Sequence, residues 1–164
     1  IIKEVGIPKE IMEKVEEGGT IAGKGAEGDV RGSFSKYADL TQRAIHVQKT
    51  IIRKLADRES CVIIGRCADY ALADYPNVVS VFITVDEDVK IKTLMERHKI
   101  SESQAKDVMI KTDKKRSSYY NYYSSKRWGD SKSYDLCMNS SKIGYDGVVK
   151  MIQDFVEIKK GYKK

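Results

Sequence analysis

Residues 114–130, KKRSSYYNYYSSKRWGD, gather five cationic side chains (Lys114, Lys115, Arg116, Lys126, Arg127) and four tyrosines into seventeen positions. Arginine offers a planar fork that grips a phosphate or carboxylate through two parallel hydrogen bonds, and lysine adds a mobile point charge. Tyrosine rings beside such cations can also stack nucleic-acid bases. Three readings follow from residue type alone: a clamp for nucleotide phosphates, a strip for single-stranded nucleic acid, or a solvated helix face. A second concentration of chemistry is CVIIGRCADY, residues 61–70, where an apolar run ends in Gly65-Arg66. If Cys61 to Ile64 is a buried strand, Arg66 stands at the carboxyl edge of a parallel sheet, where open α/β folds bind ligands. The competing reading is an ordinary surface arginine after a strand.

The elements that must position these groups can be read from periodicity. TQRAIHVQKTIIRKLADRES has helical spacing at Ala44, Val47, Ile51, Ile52 and Leu55, and leads into the strand candidate Cys61 to Ile64. GRCADYALADYPN reads as a turn and a helix, and Val78 to Val85 as a second strand. Asp86 is expected to cap a helix that carries Glu87 and Asp88 in its first turn, where the helix dipole favours acids. Ser101 and Gln104 form a capping box that opens a longer helix running into the basic stretch. On that helix Lys111, Lys115 and Ser118 fall near one face, and Asp113, Arg116 and Tyr120 on another. A turn is expected at Trp128-Gly129-Asp130, with Lys126 and Arg127 on its near side. YDLCMNSS is a third strand candidate, and YDGVVKMIQDFVEIKK a closing amphipathic helix. Strands alternating with helices predict a parallel sheet covered on both faces. Before all of these, PKEIMEKVEEGG reads as a short helix and residues 18–37 as a Gly-rich polar segment.

Composition bounds the function classes. The chain has 164 residues, a net charge of +6 and 41% hydrophobic residues, which suits one globular domain and permits, without requiring, a polyanionic partner. Cys61, Cys67 and Cys137 show no CxxC pairing, so buried, reduced thiols in a cytosolic protein are expected rather than a disulfide framework or zinc site. The apolar runs have strand length and fall far short of a membrane span. GKGAEG, Gly23 to Gly28, matches the dinucleotide fingerprint literally, but no strand precedes it and no clear helix follows, so it reads as a flexible loop. His46 and His98 have no triad or metal spacing and are expected as surface or structural residues.

CVIIGRCADYAL, YPNVVSVFITVDEDVKIKTLMER, SESQAKDVMIKTDKKRSSYYNYYSSKRWGD and SYDLCMNSS together resemble the cytidylate kinase-like family, relatives of the P-loop nucleoside monophosphate kinases. The resemblance runs from about residue 43 to the C-terminus. It implies an α/β, three-layer P-loop NTPase-type fold, a parallel sheet flanked by helices, with a mobile acceptor-binding region at about 18–42 and a helical LID at about 111–132 in one kinase-like domain. It further implies ATP-dependent phosphoryl transfer, with Mg²⁺, to a nucleoside monophosphate such as CMP or a similar small acceptor. On the resemblance, Lys115, Arg116 and Arg127 are the catalytic cations of the LID. Arg66, Asp130 and Arg43 are the substrate-binding candidates, Arg66 at the position that holds the acceptor's phosphate.

The implied setting is cytoplasmic, with ATP and the acceptor as partners, no membrane, nucleic acid not expected, and a homodimer permitted. The family's phosphate loop, G-x-x-x-x-G-K-[ST], occurs nowhere in the chain, and Ile64 stands where an acidic residue is expected before the Gly-Arg. Metal ligands are therefore left unassigned, and the chain from Ile1 is expected to bind nucleotide weakly and transfer nothing. The alternative class is a noncatalytic nucleotide- or RNA-binding module that retains the fold.

Overall fold

The computed structural model describes residues 30–162, with side chains from Leu40 onward. The expected helix at PKEIMEKVEEGG and the loop GKGAEG lie outside the described residues. The described residues divide into two compact units: residues 30–72 with 118–125, and residues 73–117 with 126–162.

In the first unit, helix α1 (Val30–Arg58) begins well before the expected start near Thr41, so residues 30–42 of the anticipated acceptor-binding segment are helical. Its buried residues Thr41, Ala44 and Ile52 lie on a common side, at the spacings a helix requires. The short helix α2 (Ala68–Ala71) packs on α1 and buries Ala68 and Ala71. Two side chains of α1 hold the connecting backbone: Gln48 Nε2 donates to the Arg66 carbonyl at 3.3 Å, and Arg53 Nε to the Ala71 carbonyl at 2.9 Å.

The strand expected at Cys61 to Ile64 does not form. Those residues have no regular structure, and Val62 and Ile64 are 94% and 89% exposed. A strand exists only through the ladder it shares with a neighbour, and among the described residues none pairs with this run.

In the second unit, strands β1 (Val81–Thr84) and β2 (Leu136–Asn139) pair in parallel, Val81 opposite Leu136 and Thr84 opposite Asn139. The described architecture is thus mixed α/β, mostly helical, with a small two-stranded parallel sheet. Parallel pairing demands a long crossover, and helices α3 (Glu87–His98) and α4 (Glu102–Ser124) lie within it. They pack through Ile91, Ala105 and Met109, with Leu94, Met95 and Ile100 around them. The capping box forms as expected: Ser101 N–H donates to Gln104 Oε1 at 2.9 Å and Gln104 N–H to Ser101 Oγ at 3.3 Å. Helix α5 (Ser140–Gly161) rests against both strands, with a break at Gly144, whose φ is 67°. The regular helix thereby resumes near Tyr145, where the amphipathic pattern predicts it.

Of the three cysteines only Cys67 is buried. Cys61 is exposed with its unpaired run, and Cys137 points opposite to buried Met138 because side chains alternate along a strand. His46 and His98 are both exposed, as expected.

Asp86 has the extended backbone of an N-cap, but its side chain makes no cap hydrogen bond. It instead binds the end of the other strand: Asn139 Nδ2 donates to Asp86 Oδ1 at 2.6 Å, and Lys142 Nζ lies 2.7 Å from Oδ2. The Lys142 and Asn139 hydrogen bonds hold the Asp86 carboxyl below its ordinary value. With the folded value depressed, the unfolded chain takes up the proton first as pH falls. The contribution to stability is therefore present above the ordinary carboxylate value of about 4 and is lost on acidification below it. Asp86→Asn is expected to be less stable than wild type at pH 7, with the gap closing as pH drops below about 4; urea unfolding across that range measures it.

Candidate functional site

The first unit presents Arg66 on an unusual backbone. Gly65, Arg66 and Cys67 have φ values of 69°, 60° and 50°, three consecutive residues in the left-handed region. Glycine enters that region freely, whereas each of the next two residues carries a steric cost. The bend stays in place because Ala68 N–H donates to the Gly65 carbonyl at 3.1 Å, Gln48 holds the Arg66 carbonyl, and the Cys67 side chain is buried. Backbone held in sparsely populated regions is characteristic of ligand-contacting sites.

Arg66 lines a cavity of about 40 Å³ with Ile45, Gln48, Tyr70, Tyr119 and Tyr123. That space is little more than the volume of one water, so it cannot take a nucleobase. The tyrosines are packing partners: Tyr119 and Tyr123, one turn apart on α4, have ring centroids 4.8 Å apart, and Tyr120 donates from its hydroxyl to Asp69 Oδ2 at 2.7 Å. Burial pushes the Tyr119 hydroxyl up to about 12, and burial together with the Asp69 charge pushes the Cys67 thiol up to about 12. Both stay protonated at neutral pH, which removes Cys67 as a nucleophile. Arg43 is exposed on α1 and does not line this cavity.

The second unit carries the LID candidates. Lys115 and Arg116 are adjacent and exposed on α4, and Lys115 forms no ion pair among the described residues. Asp113 joins two cations: Lys90 of α3 binds its Oδ2, and Arg116 Nη1 lies 3.7 Å from its Oδ1. The face expected to hold Asp113 and Arg116 together is thus realised.

Arg127 and Asp130 meet in one turn, closed by Asp130 N–H donating to the Arg127 carbonyl at 3.2 Å. Gly129 is needed there twice over. Its φ is 76°, and a Cβ would meet the Phe82 ring at 3.3 Å. Phe82 takes Trp128 edge-on at 5.2 Å and Tyr134 at 5.0 Å, so the turn is seated on β1 by an aromatic cluster. Asp130 Oδ1 accepts from Lys132 N–H at 3.1 Å, a capping task for a residue expected to bind substrate. Arg127 projects exposed from this turn.

Sequence reasoning did not single out Lys90 or Gln48. Lys90 stands one helical turn after Asp86 with nothing local to mark it, and its role depends on Asp113, twenty-three residues away. Gln48 shows its purpose only through the bend eighteen residues on. A larger groove of about 590 Å³ lies over Ile91 and Met95, rimmed by Glu87, Asp88, Glu102 and Lys106, and contains none of the expected site residues. Among the described residues no group of three His, Cys, Asp or Glu side chains could hold a metal ion. Among them, too, no helix is long and apolar enough to cross a membrane.

The chain is similar to an uncharacterized protein from Eubacterium ventriosum ATCC 27560 whose crystal structure is known, with 39% identity, a TM-score of 0.66 and 76% of each chain covered. No functionally curated protein matches it. The sequence model of the cytidylate kinase-like family matches residues 1–142, a span that takes in the Gly65-Arg66 bend, the α4 cations and the Arg127–Asp130 turn and also reaches back over residues 1–42. The chain belongs to the cytidylate kinase-like family.

Proposed function

We propose that this protein is a kinase-type phosphotransferase that moves the γ-phosphoryl group of ATP to a nucleoside monophosphate, CMP among the candidates, within a three-layer P-loop fold. The observation that carries the reading is the family match across a range containing Arg66, Lys115, Arg116, Arg127 and Asp130 together. The geometry supports it in two places. Arg66 is held on a constrained bend, as a phosphate ligand should be, and exposed cations stand on α4 and on an aromatic-seated turn. Phosphoryl transfer asks little covalent chemistry of a protein. It asks for alignment of donor and acceptor oxygens and for positive charge over the transferring group. In this reading Arg66 binds the acceptor's phosphate, and Lys115, Arg116 and Arg127 form a LID that closes over the donor's phosphates and excludes water. Asp130 shapes the turn that carries Arg127, and Arg43 lies on the acceptor side. Mg²⁺ neutralises phosphate charge when it arrives with ATP; no residue of this chain is assigned to it.

A phosphorylation assay of the full-length protein against a panel of nucleoside monophosphates, with ATP and Mg²⁺, tests the proposal. Turnover with at least one acceptor is the expected result. No turnover with any acceptor, combined with RNA affinity that falls steeply with salt, would replace it with the noncatalytic binding module.

A further inference from the structure

The Asp113 carboxylate is partitioned between two helices. Its Oδ2 is bound by Lys90 of α3, while its Oδ1 has no contact with solvent and no hydrogen bond. A desolvated carboxylate oxygen without a donor is costly, and such groups in a native fold call for a reason. The cation it faces is Arg116, with Nη1 at 3.7 Å, an ion pair about half an ångström longer than a hydrogen bond. Asp113 and Arg116 are three residues apart on α4, so they share a side of the helix. The Asp113 side chain is 31% exposed and the Lys90 side chain 25%, whereas the Arg116 side chain is 62% exposed. A half-sheltered anion, anchored by a cation from the neighbouring helix, therefore reaches toward one terminal nitrogen of an exposed guanidinium.

We propose that Asp113, anchored by Lys90, is a positioning residue that aims the Arg116 guanidinium, completing the Oδ1 hydrogen bond as Arg116 engages phosphate. The inference rests on the LID reading of Arg116. The division of labour follows from chemistry. Arginine has five N–H donors in a rigid fork, so Nη1 can be held by a carboxylate while the remaining donors face a phosphate. Lysine has one ammonium and cannot keep both partners in fixed directions. Lys90 occupies Oδ2 and so leaves Oδ1 as the face open to Arg116. An arginine held through one terminal nitrogen loses less rotamer entropy on closure than one that swings freely.

The test is made on the full-length protein, comparing wild type, Asp113→Asn, Arg116→Ala and the double variant. Asn keeps the shape of Asp113 and removes its charge. Asp113→Asn is expected to lower kcat about tenfold while KM for ATP changes less, and to have no further effect in the Arg116→Ala background. Nitrogen-15 relaxation of the Arg116 Nε–H gives a signature that a merely structural role would not move: ordered in wild type and markedly more mobile in Asp113→Asn. Multiplying effects in the double variant, or equal Arg116 mobility in both proteins, would overturn the inference. If wild type shows no turnover with any acceptor, the kinase reading falls, and the Arg116 relaxation comparison alone decides whether Asp113 positions it.

Discussion

Arg116→Ala or Arg127→Ala in the full-length protein is expected to lower kcat by a factor of about 10² or more, with a smaller rise in KM for ATP. Negative charge in phosphoryl transfer is spread over donor and acceptor oxygens as the bond to the γ-phosphorus loosens. A guanidinium above that group therefore contributes most at the transition state and less to ground-state affinity. Arg116→Lys should recover only part of the loss, because it keeps the charge without the fork and cannot divide its donors between Asp113 and phosphate. Arg127 differs in how it is held. Its turn sits on Phe82, Trp128 and Tyr134, so Arg127→Ala should leave thermal stability near wild type while kcat falls. Steady-state kinetics with the acceptor found in the panel assay measure both variants. Wild-type turnover in Arg116→Ala, with tight, salt-sensitive RNA binding, would remove the LID assignment.

The second large effect is expected at Arg66. A charge-assisted, bidentate phosphate contact contributes about 1.5–3 kcal/mol, so Arg66→Ala should lower kcat/KM for the acceptor by about 10- to 100-fold and leave KM for ATP nearly unchanged. The left-handed φ of Arg66 adds a separable term, because Ala pays the same backbone cost without the guanidinium. Arg66→Gly relieves that cost, so it should restore stability without restoring acceptor handling. Measuring acceptor KM beside thermal unfolding for the two variants distinguishes the effects. An acceptor KM and kcat unchanged in Arg66→Ala would show that this residue does not bind the acceptor's phosphate.

Local chemistry made much of the molecule legible in the sequence. Ser101 and Gln104 cap each other three residues apart, and Asp113 and Arg116 meet one turn apart, because helix geometry alone brings such pairs together. The Gly129 turn was readable for a similar reason, since a left-handed position between Trp128 and Asp130 favours glycine. The run at Cys61 to Ile64 has the composition of a buried strand, but burial and pairing belong to a neighbour, and among the described residues none supplies them. Residues 30–37 read as part of a Gly-rich polar segment because they lack a strong apolar period, yet they lie in the first turns of α1. The sequence by itself determined the residue types, the helical faces and the family motifs, which depend on spacings of a few residues. Only the tertiary structure decided that Asp86 braces Asn139 and Lys142 rather than its own helix, that Lys90 anchors Asp113, and that Gln48 steadies the Arg66 bend. Each of these contacts joins residues 18 to 56 positions apart, and no local pattern records which distant groups folding will bring within hydrogen-bond reach.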